Sequence, residues 1–575
     1  MKTRWYKDAF FYQIYPRSFC DGNGDGIGDL RGIISKLDYI KSLGVNAVWL
    51  SPCYKSPNDD NGYDISDYRD IMDEFGTMED FDELIAGLHE RGIRLIMDLV
   101  VNHTSDEHWW FKESRSSKAN PYRDYYYWKK GRGKDGKRPP NNWMSNFLGP
   151  AWKYEENTDE WYLHLFSYKQ PDLNWNNPKV RQEVADICNF WFEKGVDGFR
   201  CDVITYISKN DGLPNGKIKL PLIGFEQYCL TENYHKFIKE VADKSWNRYD
   251  TTIVGEAMGI TSKNAAGYID ESVGELDCVF SFEHTNCDRY TQILPHKLSV
   301  RKLKSIFARW QALPKTCAPT LFFENHDQPR SVPRFVGYDV GEHRDKAAKM
   351  LPVALYMQRG VPFIFQGQEL GMSDIPIGKE GTVWRDGKPV KATLTAEEVY
   401  KDILSVNAMK MFKKRAPFLM PVVKKVLKKV ARDNARTPMQ WSDAPNAGFC
   451  PDDVEPWMIV NPDCKTVNVA VEEHDGDSLL NYYRKLIEYR KGSDCIKNGE
   501  FKEYYARSNK LYVYERKTPQ TTVAVVCNFT KKEQPFTVPS EWQGKQAVCK
   551  LCNYDEARPL ESRTLRPFEA AVYEF

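Results

Sequence analysis

One unit recurs along this chain: an amphipathic helix, a glycine, then a short run of wholly apolar residues. In EDFDELIAGLHERGIRLIMDLVVNH, Phe81, Leu84, Ile85 and Leu88 fall at helical spacing, Gly92 can end the helix, and 93–101 reads as a buried strand. Val180, Val184, Ile187 and Trp191 repeat the pattern ahead of Gly195 and the strand leading into GFRCDV. LRGIISKLDYIKSLG precedes VNAVWLSP, KMLPVALYMQRG precedes VPFIFQGQE, and weaker copies lead into TTIVGE and PTLFFENHD. Apolar strands alternating with helices require a parallel sheet covered on both faces. A doubly wound sheet gathers its polar residues at one switch point, whereas a (β/α)8 TIM barrel brings the C-terminal ends of many strands to one mouth. Here Asn102 and His103, Arg200 and Asp202, Glu256, and His326 and Asp327 sit at the ends of separate strands. The barrel is therefore the expected fold, in the α/β class.

Two regions break the rhythm. Residues 104–171 are rich in Trp, Tyr, Asn, Lys and Gly, with DYYYWKKGRGKDGKRPPNNW at their centre, and read as a B domain inserted after the third strand. From 500 onward, KLYVYERK, TTVAVVCNF and AAVYEF cluster β-formers between turn residues, which predicts a C-terminal antiparallel β-sandwich over 500–575. The barrel then occupies 1–103 and 172–499. The basic run KKRAPFLMPVVKKVLKKVARD (413–433) reads as a solvated amphipathic helix.

Charge narrows the partners. With 81 Lys and Arg against 80 Asp and Glu, nothing draws the chain to nucleic acid or to an acidic membrane surface. The N-terminal MKTRWYKDAFFYQIYP carries no apolar stretch of signal-peptide length, and no long apolar run follows it, so a soluble, cytoplasmic monomer is expected. The 14 cysteines are scattered, as expected of reduced thiols in a cytoplasm; Cys549 and Cys552, in CKLC, come nearest to metal-ligand spacing, and without a second such pair zinc is not expected there.

Three acids stand on separate strand ends: Asp202 after GFRC, Glu256 after IVG and Asp327 in ENHD. Glycosidic cleavage needs two carboxyl groups flanking the bond, and a third charge can support a cationic transition state. DLVVNH (98–103), GFRCDV (198–203), GEA (255–257), ENHD (324–327) and QPDLN (170–174), in this order, resemble the blocks of the α-amylase family, glycoside hydrolase family 13. NARTPMQW (434–441) extends the resemblance to its oligo-1,6-glucosidase and α-glucosidase branch.

The resemblance implies roles. Asp202 would be the nucleophile and Glu256 the general acid/base of a retaining reaction, their carboxyl groups about 5–5.5 Å apart. Asp327 would grip the sugar hydroxyls in the transition state. Arg200, two residues before Asp202 on the same strand, shares its face and should keep it ionised. His103 and His326 would donate to hydroxyls of the same glucose, Tyr63 would stack on it, and Asp64 would recognise its non-reducing end. Phe166 and Gln170 complete the implied substrate contacts, and Arg436, or Arg432, would bridge Asp327 and the substrate. The expected partner is thus a small oligosaccharide, and no organic cofactor is expected.

Val203, immediately after the nucleophile, is the residue found in α-1,6-acting members, where α-1,4-specific relatives tend to carry Thr; its other reading is an ordinary β-branched strand residue. The sequence favours isomaltose-type substrates, with an α-1,4-glucosidase, a sucrose-acting hydrolase or isomerase, and a transglycosylase as alternatives. A non-catalytic scaffold like the transporter heavy chains is a remote one, since those lose the acids. Finally, DGNGDGIGD places Asp21, Asn23, Asp25 and Asp29 at alternate positions around Gly26, as in an EF-hand loop, with the Ile27 carbonyl as a further oxygen donor. Position twelve is Gly32, not Glu. This predicts a small structural Ca2+ site, or else a metal-free Asp/Gly turn.

Overall fold

The barrel strands follow the apolar runs: β1 (Phe11–Ile14), β2 (Ala47–Leu50), β3 (Arg94–Leu99), β4 (Gly198–Cys201), β5 (Thr252–Glu256), β6 (Cys278–Phe280), β7 (Thr320–Leu321) and β8 (Val361–Phe365). In this computed structural model, which describes residues 3–219, 222–291, 294–338, 340–562 and 564–575, they form one parallel sheet in the order β6-β5-β4-β3-β2-β1-β8-β7. The seam between β6 and β7 is bridged by Thr320 Oγ1, which donates to the Val279 carbonyl at 2.9 Å, and by Phe280 against Phe322.

Helix ends follow the glycines. The helix Met78–Glu90 starts at a Thr77–Asp80 capping box and buries Phe81, Leu84, Ile85 and Leu88. Gly92 (φ 68°) and Gly195 (φ 99°) then adopt the left-handed conformation that turns each helix back into its strand.

The strand period of two sorts each strand into a helix-facing and an inward set. Phe11, Ala47, Trp49, Ile96, Val254, Cys278, Phe280, Phe322, Val361 and Phe363 fill the barrel as one apolar cluster. One step further along the same inward rows stand Gln13, Asp98, Arg200 and Glu256, with Asp98 and Arg200 paired across β3 and β4. The polar site is thus the next layer above an apolar floor.

Between β3 and the helix Pro178–Glu193 the chain makes its long excursion, leaving and returning side by side at the His103–Asp172 bridge. It carries the helix Trp109–Ser116 and a three-stranded antiparallel sheet of Trp128–Lys129, Trp152–Glu155 and Glu160–Leu163. The C-terminal region forms a five-stranded antiparallel sheet, Glu500–Tyr504, Leu511–Lys517, Thr522–Asn528, Ala570–Glu574 and Val548–Cys552 in spatial order. One face packs on the barrel helices through Tyr512, Tyr514, Val525 and Val572, and the other on Phe536, Trp542 and Leu565.

The basic run is two helices, not one. Ile403–Arg415 and Met420–Val430 are separated at Ala416–Pro417, where the proline ring disfavours helical geometry in the residue before it. Among the described residues no helix is long and apolar enough to cross a membrane.

Candidate active site

Arg200 organises the mouth. Its Nη1 donates to Asp98 Oδ1 at 2.6 Å and to Asp202 Oδ1 at 2.7 Å, and its Nη2 lies 2.7 Å from Glu256 Oε2. The guanidinium is buried at 1% exposure, and Asp98, Asp202 and Glu256 are buried with it. Both candidate catalytic acids therefore sit on one planar fork, an arrangement that favours the narrow separation of a retaining pair over the wide one of an inverting pair. Glu256 Oε2 also accepts from the Val203 amide at 3.0 Å, and Asp98 Oδ2 from Trp49 Nε1 at 2.9 Å. Among the described residues, no hydrogen bond occupies Asp202 Oδ2 or Glu256 Oε1.

Three carboxyl groups around one cation cannot all ionise cheaply. Burial raises each, Arg200 lowers each, and the charges of their neighbours raise them again. Glu256 is carried up to about 7, chiefly by burial against the pull of Arg200, with Asp202 and Asp327 adding to it. Asp202 is raised likewise, to about 7, because burial outweighs the pull of Arg200; the expectation that Arg200 keeps it ionised is not met, and both acids titrate near neutral pH. Asp327 is the opposite case: despite burial it is held well below the usual carboxylate range by His326, Arg432 and Arg436.

A second network fixes Asp327. Arg436 Nη2 donates to its Oδ1 at 2.9 Å while Arg436 Nε donates to the His326 carbonyl. Arg432 reaches the same oxygen at 3.4 Å and also pairs with Asp60 at 3.1 Å and Asp402 at 3.5 Å. Both arginines are engaged, Arg436 buried behind Asp327 and Arg432 at the rim over the Phe147 ring.

His326 Nδ1 faces the Gln13 amide at 2.8 Å, which assigns its proton to Nε2, set 2.7 Å from the Tyr63 hydroxyl and 3.1 Å from Asp327. The Tyr63 and His326 rings stack at 5.2 Å. His103 is fully buried with Nε2 on the Tyr63 carbonyl at 3.0 Å, so its hydrogen bond is made to the loop that carries Tyr63. Gln170 is placed likewise: its Nε2 donates to the Tyr63 carbonyl and approaches Asp60. Phe166 and Val203 share an aromatic cluster with Tyr206.

Asp64 is placed apart from the other predicted sugar contacts: it is fully buried, and its oxygens accept from Ser56 Oγ and the amides of Asp59 and Asp60, so it staples its own loop. The loop carboxylate that joins the Asp327 network is Asp60, four residues earlier. Asp60, Asp98, Gln13 and Asp402 escaped the sequence reading. For Asp98 and Gln13 the signal was present: each is a polar residue on the inward row of an otherwise apolar strand.

In the loop 21–29 the oxygens meet backbone amides. Asp21 accepts from Asn23, Gly24 and Gly26, and Asp29 from Gly22, Asn23 and Gly32. Asn23 Oδ1 accepts from Asp25 N and Asp25 Oδ1 from Ile27 N. Among the described residues no three His, Cys, Asp or Glu side chains converge as on a metal. The donor set, side-chain oxygens plus the Ile27 carbonyl, is the chemistry of a hard cation.

Comparison with known proteins places this geometry. The alpha amylase catalytic domain matches residues 13–499. The chain is 46% identical to an oligo-1,6-glucosidase of Bacillus cereus over the full length of both, and 47% identical to an oligo-1,6-glucosidase of Parageobacillus thermoglucosidasius, covering 100% of this chain and 99% of that one. The structure superposes on the trehalose-6-phosphate hydrolase of Bacillus licheniformis with a TM-score of 0.90 at 40% identity, covering 99% of both chains. The chain belongs to the α-amylase family of glycoside hydrolases.

Proposed function

We propose that this chain is a retaining, exo-acting α-glucosidase that hydrolyses short α-glucosides and prefers α-1,6 linkages such as isomaltose. The observation that carries the reading is the Arg200 fork, which engages one oxygen each of Asp202 and Glu256 and leaves the other oxygen of each unclaimed. Asp202 Oδ2 attacks the anomeric carbon while Glu256 Oε1 gives its proton to the departing glycosidic oxygen. Glu256, now ionised, takes a proton from water, which attacks the glucosyl-enzyme and restores the original anomeric configuration. Asp327, kept ionised by its arginines, holds the sugar hydroxyls more tightly as the ring flattens.

Exo-attack is supported by the Asp60–Arg432–Asp327 bridge, which closes one side of the mouth beside Tyr63. The linkage preference is supported by Val203 and by the relatives named oligo-1,6-glucosidase. The test is product analysis on isomaltose, maltose, sucrose and panose, with the first-formed anomer followed by proton NMR. Release of α-glucose, fastest from isomaltose, is expected; β-glucose as first product would overturn the retaining assignment.

We propose in addition that Asp21, Asn23, Asp25, Asp29 and the Ile27 carbonyl hold a structural Ca2+, supported by their oxygen chemistry and alternate spacing around Gly26 (φ 87°). The cytoplasm is the proposed place of action, supported by 14 unpaired cysteines, and the active unit is proposed to be a monomer.

A further inference from the structure

Cys549 and Cys552 lie on the strand Val548–Cys552, an edge of the C-terminal sheet. Along a regular strand, residues three apart face opposite ways and stand about 10 Å apart. A bulge between Cys549 and Leu551 changes that. Cys549 pairs with Tyr573 and Cys552 with Ala571, two residues that share one face of the partner strand. Both cysteines consequently pack on the same side, against the Trp542–Leu565 cluster. Their backbones then span two partner residues, roughly 7 Å, near the upper end of the Cα separations a disulfide accepts.

The two thiols differ. The neighbouring Cys549 holds Cys552 down to about 7, and Arg566 Nη2 lies 3.9 Å from Cys552 Sγ, whereas Cys549, whose thiol donates to the Leu551 carbonyl at 3.3 Å, is pushed up. Access is also particular to this pair. Of the other cysteines all but Cys229 are buried, whereas both of these are partly exposed and line a cavity of about 300 Å³ with Lys346, Lys485 and Lys550.

We propose that Cys549 and Cys552 form a dithiol modification site, distinct from the sugar site, that exchanges with low-molecular-weight disulfides to close an intrachain bridge. The Cys552 thiolate attacks one sulfur of the small disulfide. The S–S bond of the reagent breaks, one small thiolate leaves and takes a proton, and a mixed disulfide remains on Cys552. Cys549 then loses its proton to solvent and attacks Cys552 Sγ, expelling the second small thiol. Two protein thiols are oxidised and one disulfide is reduced to two thiols.

The experiment treats the native protein with glutathione disulfide at pH 7, quenches with an alkylating agent, and maps modified cysteines by mass spectrometry. The expected result is one Cys549–Cys552 bridge with the other cysteines unmodified. Cys549→Ser should accumulate glutathione on residue 552, and Cys552→Ser should react at least about tenfold more slowly, since the remaining thiol is almost wholly protonated. Retained hydrolysis of p-nitrophenyl α-glucoside shows that both variants fold. Stable glutathione on Cys552 of the unmutated chain, equal reactivity of the two variants, or first modification at Cys229 would each overturn the proposal.

Discussion

The Val203 amide donates to Glu256 Oε2 from a backbone at φ 34° and ψ 39°, a left-handed conformation that a β-branched residue rarely adopts. Such strain costs on the order of 1–3 kcal/mol and persists only where its surroundings impose it. The residue after the proposed nucleophile thereby holds one oxygen of Glu256 and leaves the other unclaimed. Its backbone holds Glu256, and its side chain lies beside Phe166 and Tyr206.

That division of labour makes Val203→Thr informative. The substitution keeps the amide and changes only the side chain. The ratio of kcat/KM for isomaltose to that for maltose should fall by about 10-fold, on the order of 1.4 kcal/mol, while the alkaline limb of the pH profile stays where it was. An unchanged ratio would remove the linkage argument, and a displaced limb would show that the amide had moved.

The pH profile has a definite sign. Glu256 must be protonated to act, and burial with nearby negative charge carries it up to about 7. Activity should peak near neutral pH, falling above about 7 as Glu256 loses its proton and on the acid side as Asp202, which burial also raises to about 7, gains one. Glu256→Gln should abolish the alkaline limb and slow isomaltose hydrolysis by about 10²–10⁴-fold. An activated p-nitrophenyl glucoside, whose leaving group needs no proton, should lose much less in the first step. Equal losses on both substrates would contradict the general-acid role.

Asp202→Asn should cost turnover and add stability. It deletes the proposed nucleophile, but it also removes one of three carboxylates crowded on the single guanidinium of Arg200. Asp202, Asp98 and Glu256 are all raised by burial, so the folded state holds their protons more tightly than the unfolded chain. Their stabilising contribution is present at acid pH and is lost as pH rises toward 7. Thermal unfolding at pH 7 should therefore show a higher Tm for the variant, with p-nitrophenyl α-glucoside hydrolysis lost; a lower Tm would contradict the electrostatic reading.

How far the sequence could be read follows from periodicity. The strand rows were legible because apolar residues repeat every two positions between helices that repeat every 3.6, and Gly92 and Gly195 mark where one pattern hands over to the other. Those rows also carried Arg200, Asp202 and Glu256 to one mouth. What they do not encode is which residues of an irregular loop turn inward. DDNGYDI offers several carboxylates within a few residues, and the choice between Asp60 and Asp64 depends on three hydrogen bonds internal to the loop. The split of the 413–433 run at Ala416–Pro417 was legible in its proline; the packing of Leu427 of its second helix with Ile375 and Leu394 was not.

The two loop acids separate by experiment. Asp64→Ala strands the Ser56 hydroxyl and two amides, which should cost about 1–3 kcal/mol in urea unfolding. Asp60→Ala removes the partner of Arg432 at the rim. It should lower kcat/KM for isomaltose by about 10²-fold with unfolding little changed, since the loop staple remains. The reverse pattern would return the sugar contact to Asp64.

Calcium should act on stability and leave the chemistry alone. The loop 21–29 is joined to the chain near 450 by Asp21 N on the Phe449 carbonyl at 3.0 Å and by Trp457 N on the Gly26 carbonyl at 2.8 Å. Each carboxylate there already accepts from backbone amides, so a cation would draw on their remaining lone pairs, and the apo loop keeps its shape. Saturation at about 100 times the Kd would add about 2.7 kcal/mol to folding. Chelation should lower Tm without altering kcat on isomaltose, added Ca2+ should restore it, and Asp21→Asn should abolish the response while the protein still folds. A Tm indifferent to chelator and to Ca2+ would make the segment a metal-free Asp/Gly turn, stabilised by its amide hydrogen bonds alone.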